Sequence, residues 1–176
     1  MPSPVIRDAR MSDAEAIARI YAHHVLNGTA SFDTVPPSAS DWDEKIGAIL
    51  ARQWPFLVAE SDGRVVAYAY ATQTRDRPAY AQTCENSVYV APDAVGRGFG
   101  TAIMKTLIAR AVDCGFRQMI AVVGGAEPAS VALHRKLGFV EAGRMRNVGR
   151  KFGRLLDTVY LQLDLNPAPH SNSTIT

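Results

Sequence analysis

The sequence predicts a single-domain α/β protein built on one mixed β-sheet. Its 176 residues suit one domain rather than two. A composition that is 47% apolar and 20% charged supplies enough apolar mass for a folded core. Strand-like and helix-like segments follow the order β, α, α, β, β, β, α, β, α, β, β. Meandering strands come first and βαβ units follow, which predicts one sheet with both antiparallel and parallel neighbours.

The first part of the chain is predicted to form a strand and a helix. Residues 5–7 form a short strand. Ser12 and Glu15 have the spacing of a capping box, so the helix should begin there. The pair Asn27–Gly28 should end it.

A loop, a second helix and a hairpin come next. Two prolines keep the loop 29–37 from becoming helical. Ser40 can cap a helix that continues to about Arg52. The pair Asp62–Gly63, between "FLVAE" and "VVAYAYAT", is typical of the turn in a β-hairpin.

The second half of the chain has the βαβ pattern. A strand is expected from about Thr83 to Ala91, where Pro92 ends it. Apolar residues then recur every four positions and predict a helix over 98–114. The continuous apolar run "MIAVV" is typical of a strand covered on both faces. The remaining predicted elements are a short helix over 130–137 and two strands near 139–147 and 155–165.

Composition narrows the classes of function. The net charge of +2 is too small to indicate nucleic-acid binding. Cys84 and Cys114 form neither a CxxC motif nor a His-rich cluster, so we expect reduced thiols in a cytoplasmic protein. No apolar run approaches the ~18 residues that span a bilayer, and no signal-peptide core is present at the N-terminus. His23 and His24 have no carboxylate at ligand spacing, and we expect no metal site.

Three glycines between a strand and a helix, in "VGRGFGT" (95–101), form a candidate phosphate site. A P-loop is excluded because no lysine stands between Gly100 and Thr101. The spacing Gly96-x-Gly98-x-Gly100, with no acidic residue after the next strand, disfavours a dinucleotide fingerprint. Two alternatives stay open: a pyrophosphate held by backbone N–H groups at the helix N-terminus, and a glycine-rich turn without a ligand.

The neighbouring stretches make this turn resemble the acetyl-CoA signature of the GNAT superfamily, a strand followed by Q/R-x-x-G-x-G/A and a helix. The later "SVALHRKLGF" resembles its second signature. The stretches "TASFDTVP", "WPFLVAE", "ENSVYV", "AVVGG" and "GRKFGRLLD" look like its phosphinothricin and methionine sulfoximine acetyltransferase branch. The resemblance implies a mostly antiparallel mixed sheet flanked by helices, in a GNAT-like domain over residues 1–165. The small, polar segment 166–176 is predicted to be a disordered tail.

The resemblance implies that acetyl-CoA is the acetyl donor. Val95 stands where the signature has Gln or Arg. The resemblance implies that backbone N–H groups make most of the phosphate contacts, so we expect this replacement to weaken cofactor binding little. Glu127 stands where the branch has Asn. The expected acetyl-CoA-binding residues are Val88, Tyr89, Val90, Gly96, Arg97, Gly98, Phe99, Gly100, Thr101, Glu127, Ser130 and Lys136.

The resemblance also implies direct transfer to an amine in a ternary complex, without an acetyl-enzyme. Only a neutral amine attacks, and Glu85 in "CENSVYV" is the candidate base, directly or through a water. Its alternative role is an ion pair with an arginine. A backbone N–H at Tyr89 or Val90 could stabilise the thioester oxygen. His134, where many relatives have Tyr, is the candidate acid for the leaving thiolate, with capping or packing as the alternative.

The acceptor implied by the resemblance is a small amino acid analogue: phosphinothricin, methionine sulfoximine or methionine sulfone. Its carboxylate calls for a cation, and arginine can donate two parallel hydrogen bonds. The alternative for the two loop arginines of "TRDRPAY" is a solvated surface. The expected acceptor-binding residues are Phe32, Arg75, Arg77, Pro78, Ala79 and Tyr80.

Other hypotheses stay open at this point. One is a GNAT enzyme that acts on peptide N-termini or polyamines, and another is a non-catalytic CoA-binding module. A basic run in the last hairpin could bind a CoA phosphate or a dimer partner, although we mostly expect a solvated hairpin. Apart from Phe152, the run lacks the interleaved aromatics of a nucleic-acid surface. The resemblance implies a homodimer. The run comprises Arg144, Arg146, Arg150, Lys151 and Arg154.

Overall fold

A seven-stranded sheet in the order β1-β2-β3-β4-β5-β7-β6 runs through the computed structural model, which describes residues 4–166. Only β4 and β5 are parallel neighbours among these strands, and the other pairs are antiparallel. This confirms the predicted mixed, mostly antiparallel α/β architecture. The strands are β1 Val5–Asp8, β2 Phe56–Ser61, β3 Arg64–Gln73, β4 Thr83–Val90, β5 Gln118–Gly124, β6 Val140–Lys151 and β7 Arg154–Asp164.

Four helices cover the two faces of the sheet. Successive residues of β4 point to opposite faces. Tyr89 packs edge-on against Tyr21, with 4.9 Å between ring centroids, whereas Val90 approaches Gly100 on the other face. Trp42 packs edge-on against Tyr21, with 5.3 Å between ring centroids, so the first two helices lie on one face and the third on the other. The helices are α1 Ala14–Asn27, α2 Ala39–Ala51, α3 Phe99–Asp113 and α4 Pro128–Lys136.

The start of α1 differs from the prediction. Ser12 and Glu15 do not form the capping box, because residues Met11–Asp13 make a turn of 3₁₀ helix before α1 begins. The buried carboxylate of Asp13 accepts hydrogen bonds from the backbone N–H of Arg10 at 2.8 Å and from the guanidinium of Arg7 at 2.8 Å. A carboxylate bonded in this way organises the entry to the helix in place of the predicted serine.

The cap of α2 was also predicted at the wrong serine. Ser38, not Ser40, precedes the helix, and its hydroxyl accepts from the N–H of Asp41 at 3.2 Å. The carboxylate of Asp41 accepts in return from the N–H of Ser38 at 2.7 Å. The acidic side chain three residues after Ser38 completes a reciprocal box. Ser40 has Asp43 at the same spacing, but it lies inside the helix, which already begins at Ala39.

Two further differences lie in the second half. The apolar run of β5 is not covered on both faces, since Val122 is 37% exposed while Met119 and Val123 are buried. The sixth strand continues to Lys151, further than the predicted end near 147, and meets the seventh strand at a turn at residues 152–153. The predicted tail 166–176 lies outside the described residues except for residue 166. None of the helices in residues 4–166 combines the length and apolarity needed to cross a membrane.

Candidate functional site

The site begins where β4 and β5 separate. The two strands pair from Thr83–Gln118 to Asn86–Ala121, and no pair follows within the described residues. Both strands nevertheless continue, β4 to Val90 and β5 to Gly124. The last four residues of β4 are therefore paired with β3 on one side and open to a gap on the other.

Two hydrogen bonds fix which backbone groups of β4 face this gap. Thr74 N–H donates to Thr83 O at 3.0 Å, and Ala91 N–H donates to Val66 O at 2.8 Å, so odd-numbered residues of β4 bond to β3. Backbone groups alternate in direction along a strand. The N–H and C=O of Val88 and Val90 consequently point into the gap, and the N–H of Tyr89 points away from it.

The glycine turn closes one end of the gap. Gly96 and Gly98 have φ of 79° and 87°, a region that glycine enters at little cost. A Cβ at either glycine would meet no described atom within 4 Å, so a ligand can approach the main chain. No side chain caps α3 after Gly98, which leaves the first N–H groups of the helix without helical partners. Unpaired N–H groups at a helix N-terminus fit a phosphate.

A cleft of about 550 Å³ joins the turn to the gap. Every predicted acetyl-CoA-binding residue lines this cleft except Arg97, whose guanidinium stacks 5.1 Å from the ring centre of Phe99. The sequence interpretation missed several lining residues: His24, Thr29, Ala30 and Leu133. The ring Nε2 of His24 donates to the gap-facing carbonyl of Val90 at 2.8 Å. No local sequence signal marks His24, because its role depends on how α1 packs against β4.

Glu127 caps helix α4 at the edge of this cleft. One oxygen of its carboxylate accepts from the backbone N–H of Ser130 at 2.7 Å, which makes Glu127 the N-cap of α4. An Asn at this position could cap the helix in the same way. The departure from the branch pattern therefore keeps the capping bond and adds one negative charge.

A second cleft of about 300 Å³ opens beside the first and contains Glu85. Burial raises the pKa of this carboxyl, while the positive charges of Arg75 and Lys45 act in the opposite direction. Both clefts are lined by Ala30, Val88, Tyr89 and Ser130. A ligand in one cleft therefore meets a ligand in the other at the open part of β4.

His134 is buried at the base of the second cleft, with both ring nitrogens in use. Nδ1 lies 2.8 Å from the carbonyl oxygen of Ser130, which can only accept, so Nδ1 carries the proton. Nε2 then accepts from the side-chain amide of Asn86 at 3.1 Å. Burial lowers the pKa of His134 and favours this neutral form. The arrangement favours the packing alternative over the predicted acid, since no free N–H points into the cleft.

The predicted acceptor-binding residues fall into two groups. Phe32 lines the second cleft and is 39% exposed. The other five occupy an exposed loop before β4 and are outside the lining of the cleft: Arg75, Arg77, Pro78, Ala79 and Tyr80. Arg75 is close enough to Glu85 to lower the pKa of its carboxyl, so this loop stands beside the mouth of the cleft.

A polar cluster from α1 and the following loop was missed. The hydroxyl of Tyr21 donates to the carboxylate of Asp33 at 2.6 Å and lies 2.7 Å from the hydroxyl of Ser31. All three side chains line the second cleft. Burial raises the pKa of Tyr21, and the hydrogen bond to Asp33 adds to the effect. The cluster gives the cleft a second carboxylate besides Glu85.

The hairpin of β6 and β7 is solvated as predicted along its arginines, but not at Lys151. This lysine is buried, and its ammonium donates to the backbone oxygen of Ser31 at 2.7 Å. Burial lowers the pKa of Lys151. The bond ties the hairpin to the loop that carries Phe32, across 120 residues of sequence.

Comparison with known proteins agrees with this geometry. The model of the acetyltransferase (GNAT) family matches residues 18–139. A phosphinothricin N-acetyltransferase from Alcaligenes faecalis is 49% identical over 92% of this chain and 82% of its own length. A methionine sulfoximine/methionine sulfone acetyltransferase from Pseudomonas paraeruginosa is 38% identical over 94% and 96%. The crystal structure of a phosphinothricin acetyltransferase from Sinorhizobium meliloti with acetyl-CoA superposes with a TM-score of 0.91, at 43% identity over 94% and 90%.

Proposed function

We propose that this chain, which belongs to the acetyltransferase (GNAT) family, transfers the acetyl group of acetyl-CoA to the amino group of a small amino acid analogue. The observation that carries the proposal is the junction of two clefts along the open part of β4. One cleft has the glycine turn and the start of α3 at its end, and the other holds the half-buried carboxylate of Glu85. Relatives named for phosphinothricin, methionine sulfoximine and methionine sulfone support those compounds as acceptors.

The donor side of the site is built mainly from main-chain groups. We propose that the gap-facing N–H and C=O of Val88 bond the amides of the pantetheine arm, as a neighbouring strand would. The unpaired N–H groups at the start of α3 would hold the pyrophosphate. When bound, acetyl-CoA supplies the thioester carbonyl that the amine attacks. The N–H of Val90 points into the gap and is our candidate donor to that carbonyl oxygen.

Glu85 is the proposed base on the acceptor side. It lines the second cleft, in which we place the acceptor and which we therefore call the acceptor cleft. Burial raises the pKa of Glu85 toward the range in which a carboxylate accepts a proton readily near neutral pH. The shared lining of the two clefts supports a ternary complex, because donor and acceptor can be present together. Direct transfer then needs no covalent intermediate on the protein.

The function is tested by thiol release from acetyl-CoA with a panel of acceptors: phosphinothricin, methionine sulfoximine, methionine sulfone, spermidine and a short peptide. We expect release with the first three compounds. Release with spermidine or the peptide alone would favour the other acceptor class. Release with none of them would leave a CoA-binding module as the better description.

The proposed base is tested by Glu85→Gln. We expect kcat to fall by about 10²- to 10⁴-fold, the usual contribution of a general base, with acetyl-CoA affinity kept. Glu44→Gln is a matched control, because Glu44 is an exposed carboxylate of α2 outside both clefts. A Glu85→Gln enzyme with wild-type kcat would remove Glu85 from this role.

We also propose a homodimer formed through the β6–β7 hairpin. Strand β6 is one of the two edge strands of the sheet and is exposed along most of its length. Long exposed edges invite pairing with another chain. Several large apolar side chains are exposed there as well: Val140, Met145, Val148, Phe152 and Leu155. Light scattering should give twice the chain mass, and a monomer at micromolar concentration would contradict the proposal.

A cytoplasmic location is proposed for the enzyme. Cys84 and Cys114 are both free thiols, the usual state of cysteine in a reducing compartment. Cell fractionation with an antibody to the chain would test this, and recovery outside the cytoplasmic fraction would contradict it.

A further inference from the structure

The ring of Phe32 lies between two glycines from different strands. A Cβ on Gly124 of β5 would stand 3.1 Å from Cδ1 and Cε1 of the ring. A Cβ on Gly149 of β6 would stand 2.6 Å from Cζ and 2.8 Å from Cδ2, on the opposite edge. Such separations are well inside the 3.5–4.0 Å that two carbon atoms prefer. The ring occupies its present position only because position 149 has no side chain.

The backbone itself does not account for glycine at position 149. Gly149 lies in β6 and is not one of the glycines with positive φ among the described residues. It follows an irregular stretch of β6 in which the pairing with β7 shifts between Met145 and Gly149. An alanine could adopt this backbone, so Phe32 is the obstacle to a larger residue.

The loop that carries Phe32 is held on both sides of the ring. Lys151 donates to the backbone oxygen of Ser31, and the hydroxyl of Ser31 accepts from the N–H of Asp33 at 3.1 Å. The carboxylate of Asp33 is in turn bonded to Tyr21. Because these bonds anchor the main chain, a group placed at position 149 would displace the ring rather than the loop.

We propose that Gly149 is a positioning residue for acceptor specificity, which acts by leaving space for the ring of Phe32. The ring lines the acceptor cleft together with Val122, whose side chain lies on the same face of β5 as position 124. The two side chains form an apolar wall for the aliphatic carbons of the acceptor. Gly149 itself is not in the lining. This inference rests on the proposed function of that cleft.

The test compares Gly149→Ala with Gly143→Ala in the same strand. A Cβ on Gly143 would meet no described atom within 4 Å, so this control adds the same methyl group without a clash. We expect Gly149→Ala to raise the acceptor KM by about tenfold, the lower end for one methylene in an apolar pocket, with the KM for acetyl-CoA unchanged. Gly143→Ala should keep both constants. A wild-type acceptor KM for Gly149→Ala, or an equal rise for Gly143→Ala, would overturn the inference.

A double variant tests whether Gly149 acts through the ring. In a Phe32→Leu background, which removes the ring, Gly149→Ala should have little further effect on the acceptor KM. Fully additive effects would contradict coupling between the two positions. Should Gly149→Ala fail to fold, Phe32→Leu/Gly149→Ala should recover the fold, and a double variant that stays unfolded would also contradict the proposal.

Failure of this inference is distinguishable from failure of the proposed function. A wild-type enzyme that acetylates none of the acceptors removes the proposed function. An active wild-type enzyme whose acceptor KM is insensitive to Gly149→Ala removes only the role of Gly149. Amide chemical shifts of residues 31–33 give a readout without activity: they should move in Gly149→Ala and stay unchanged in Gly143→Ala.

Discussion

Replacing Gly98 with alanine tests the glycine turn before α3. Gly98 has φ of 87° and ψ of −1°, in the left-handed region, where a residue with a Cβ costs about 1–2 kcal/mol. A Cβ at this position would meet no described atom within 4 Å. Because the added methyl group meets no described protein atom, backbone strain is the whole expected effect of Gly98→Ala on the protein without acetyl-CoA.

This strain divides between two measurable free energies. If the turn keeps its shape without a ligand, the free energy of unfolding falls by the full amount and acetyl-CoA affinity is kept. If the turn relaxes when no ligand is bound, stability is kept and binding must restore the strained shape. A loss of about 1–2 kcal/mol in binding raises Kd by about 5- to 30-fold. The two losses should add to at least about 1–2 kcal/mol in either case. Any excess in binding comes from contact between the methyl group and the ligand.

The assay combines urea unfolding with calorimetric titration of acetyl-CoA. Gly63→Ala is the matched control, because Gly63 has φ of 72°, has the same open surroundings and lines neither cleft. It should lose a similar amount of stability and keep the wild-type Kd. The reasoning is refuted if Gly98→Ala loses neither stability nor affinity, or if Gly63→Ala weakens acetyl-CoA binding equally.

Three other variants extend these tests. Arg75→Gln removes a cation that lowers the pKa of Glu85. Because the base works as a carboxylate, the acidic limb of the kcat/KM profile should move to higher pH. The KM for an amino acid acceptor should also rise. An unchanged pH profile would show that Arg75 does not influence the pKa of Glu85. Tyr68→Phe removes a buried hydroxyl that has no hydrogen-bond partner in residues 4–166, and it should raise the free energy of unfolding by about 1–3 kcal/mol in urea melts; a loss of stability would reveal a partner. Burial lowers the pKa of His134 in the folded state, so the unfolded chain binds its proton first and stability falls as pH drops below about 6.5. His134→Gln should flatten part of that fall, and an identical pH dependence would show that His134 does not contribute.

Local signals in the sequence predicted most of the fold. The pair Asp62–Gly63 forms its turn, and the apolar repeat over 98–114 forms α3, because turn chemistry and helical spacing are decided by neighbours in sequence. The helix caps were less predictable. Ser12 and Asp13 are adjacent polar residues, and the choice between them depended on Arg7, which arrives from β1.

The candidate site likewise contains some residues that the sequence could predict and others that it could not. The glycine turn could be found because it stands in a short motif with a strand before it and a helix after it. Glu85 was expected only from the resemblance to the GNAT superfamily. Lys151 could not be separated from the four arginines of its hairpin, since its burial depends on a contact with Ser31 far away in sequence. The positions of His24 and Asp33 in the site likewise depend on packing between elements, which residue spacing in the sequence does not reveal.

The alternation of backbone groups in β4 has a consequence for how such an enzyme can diversify. The proposed donor contacts of Val88 and Val90 use main-chain atoms, which any substitution except proline leaves intact. The acceptor cleft instead depends on side chains such as Phe32 and Asp33, which a single codon change can replace. Libraries randomised on the acceptor side should therefore yield enzymes with new amine preferences that still use the same acetyl donor.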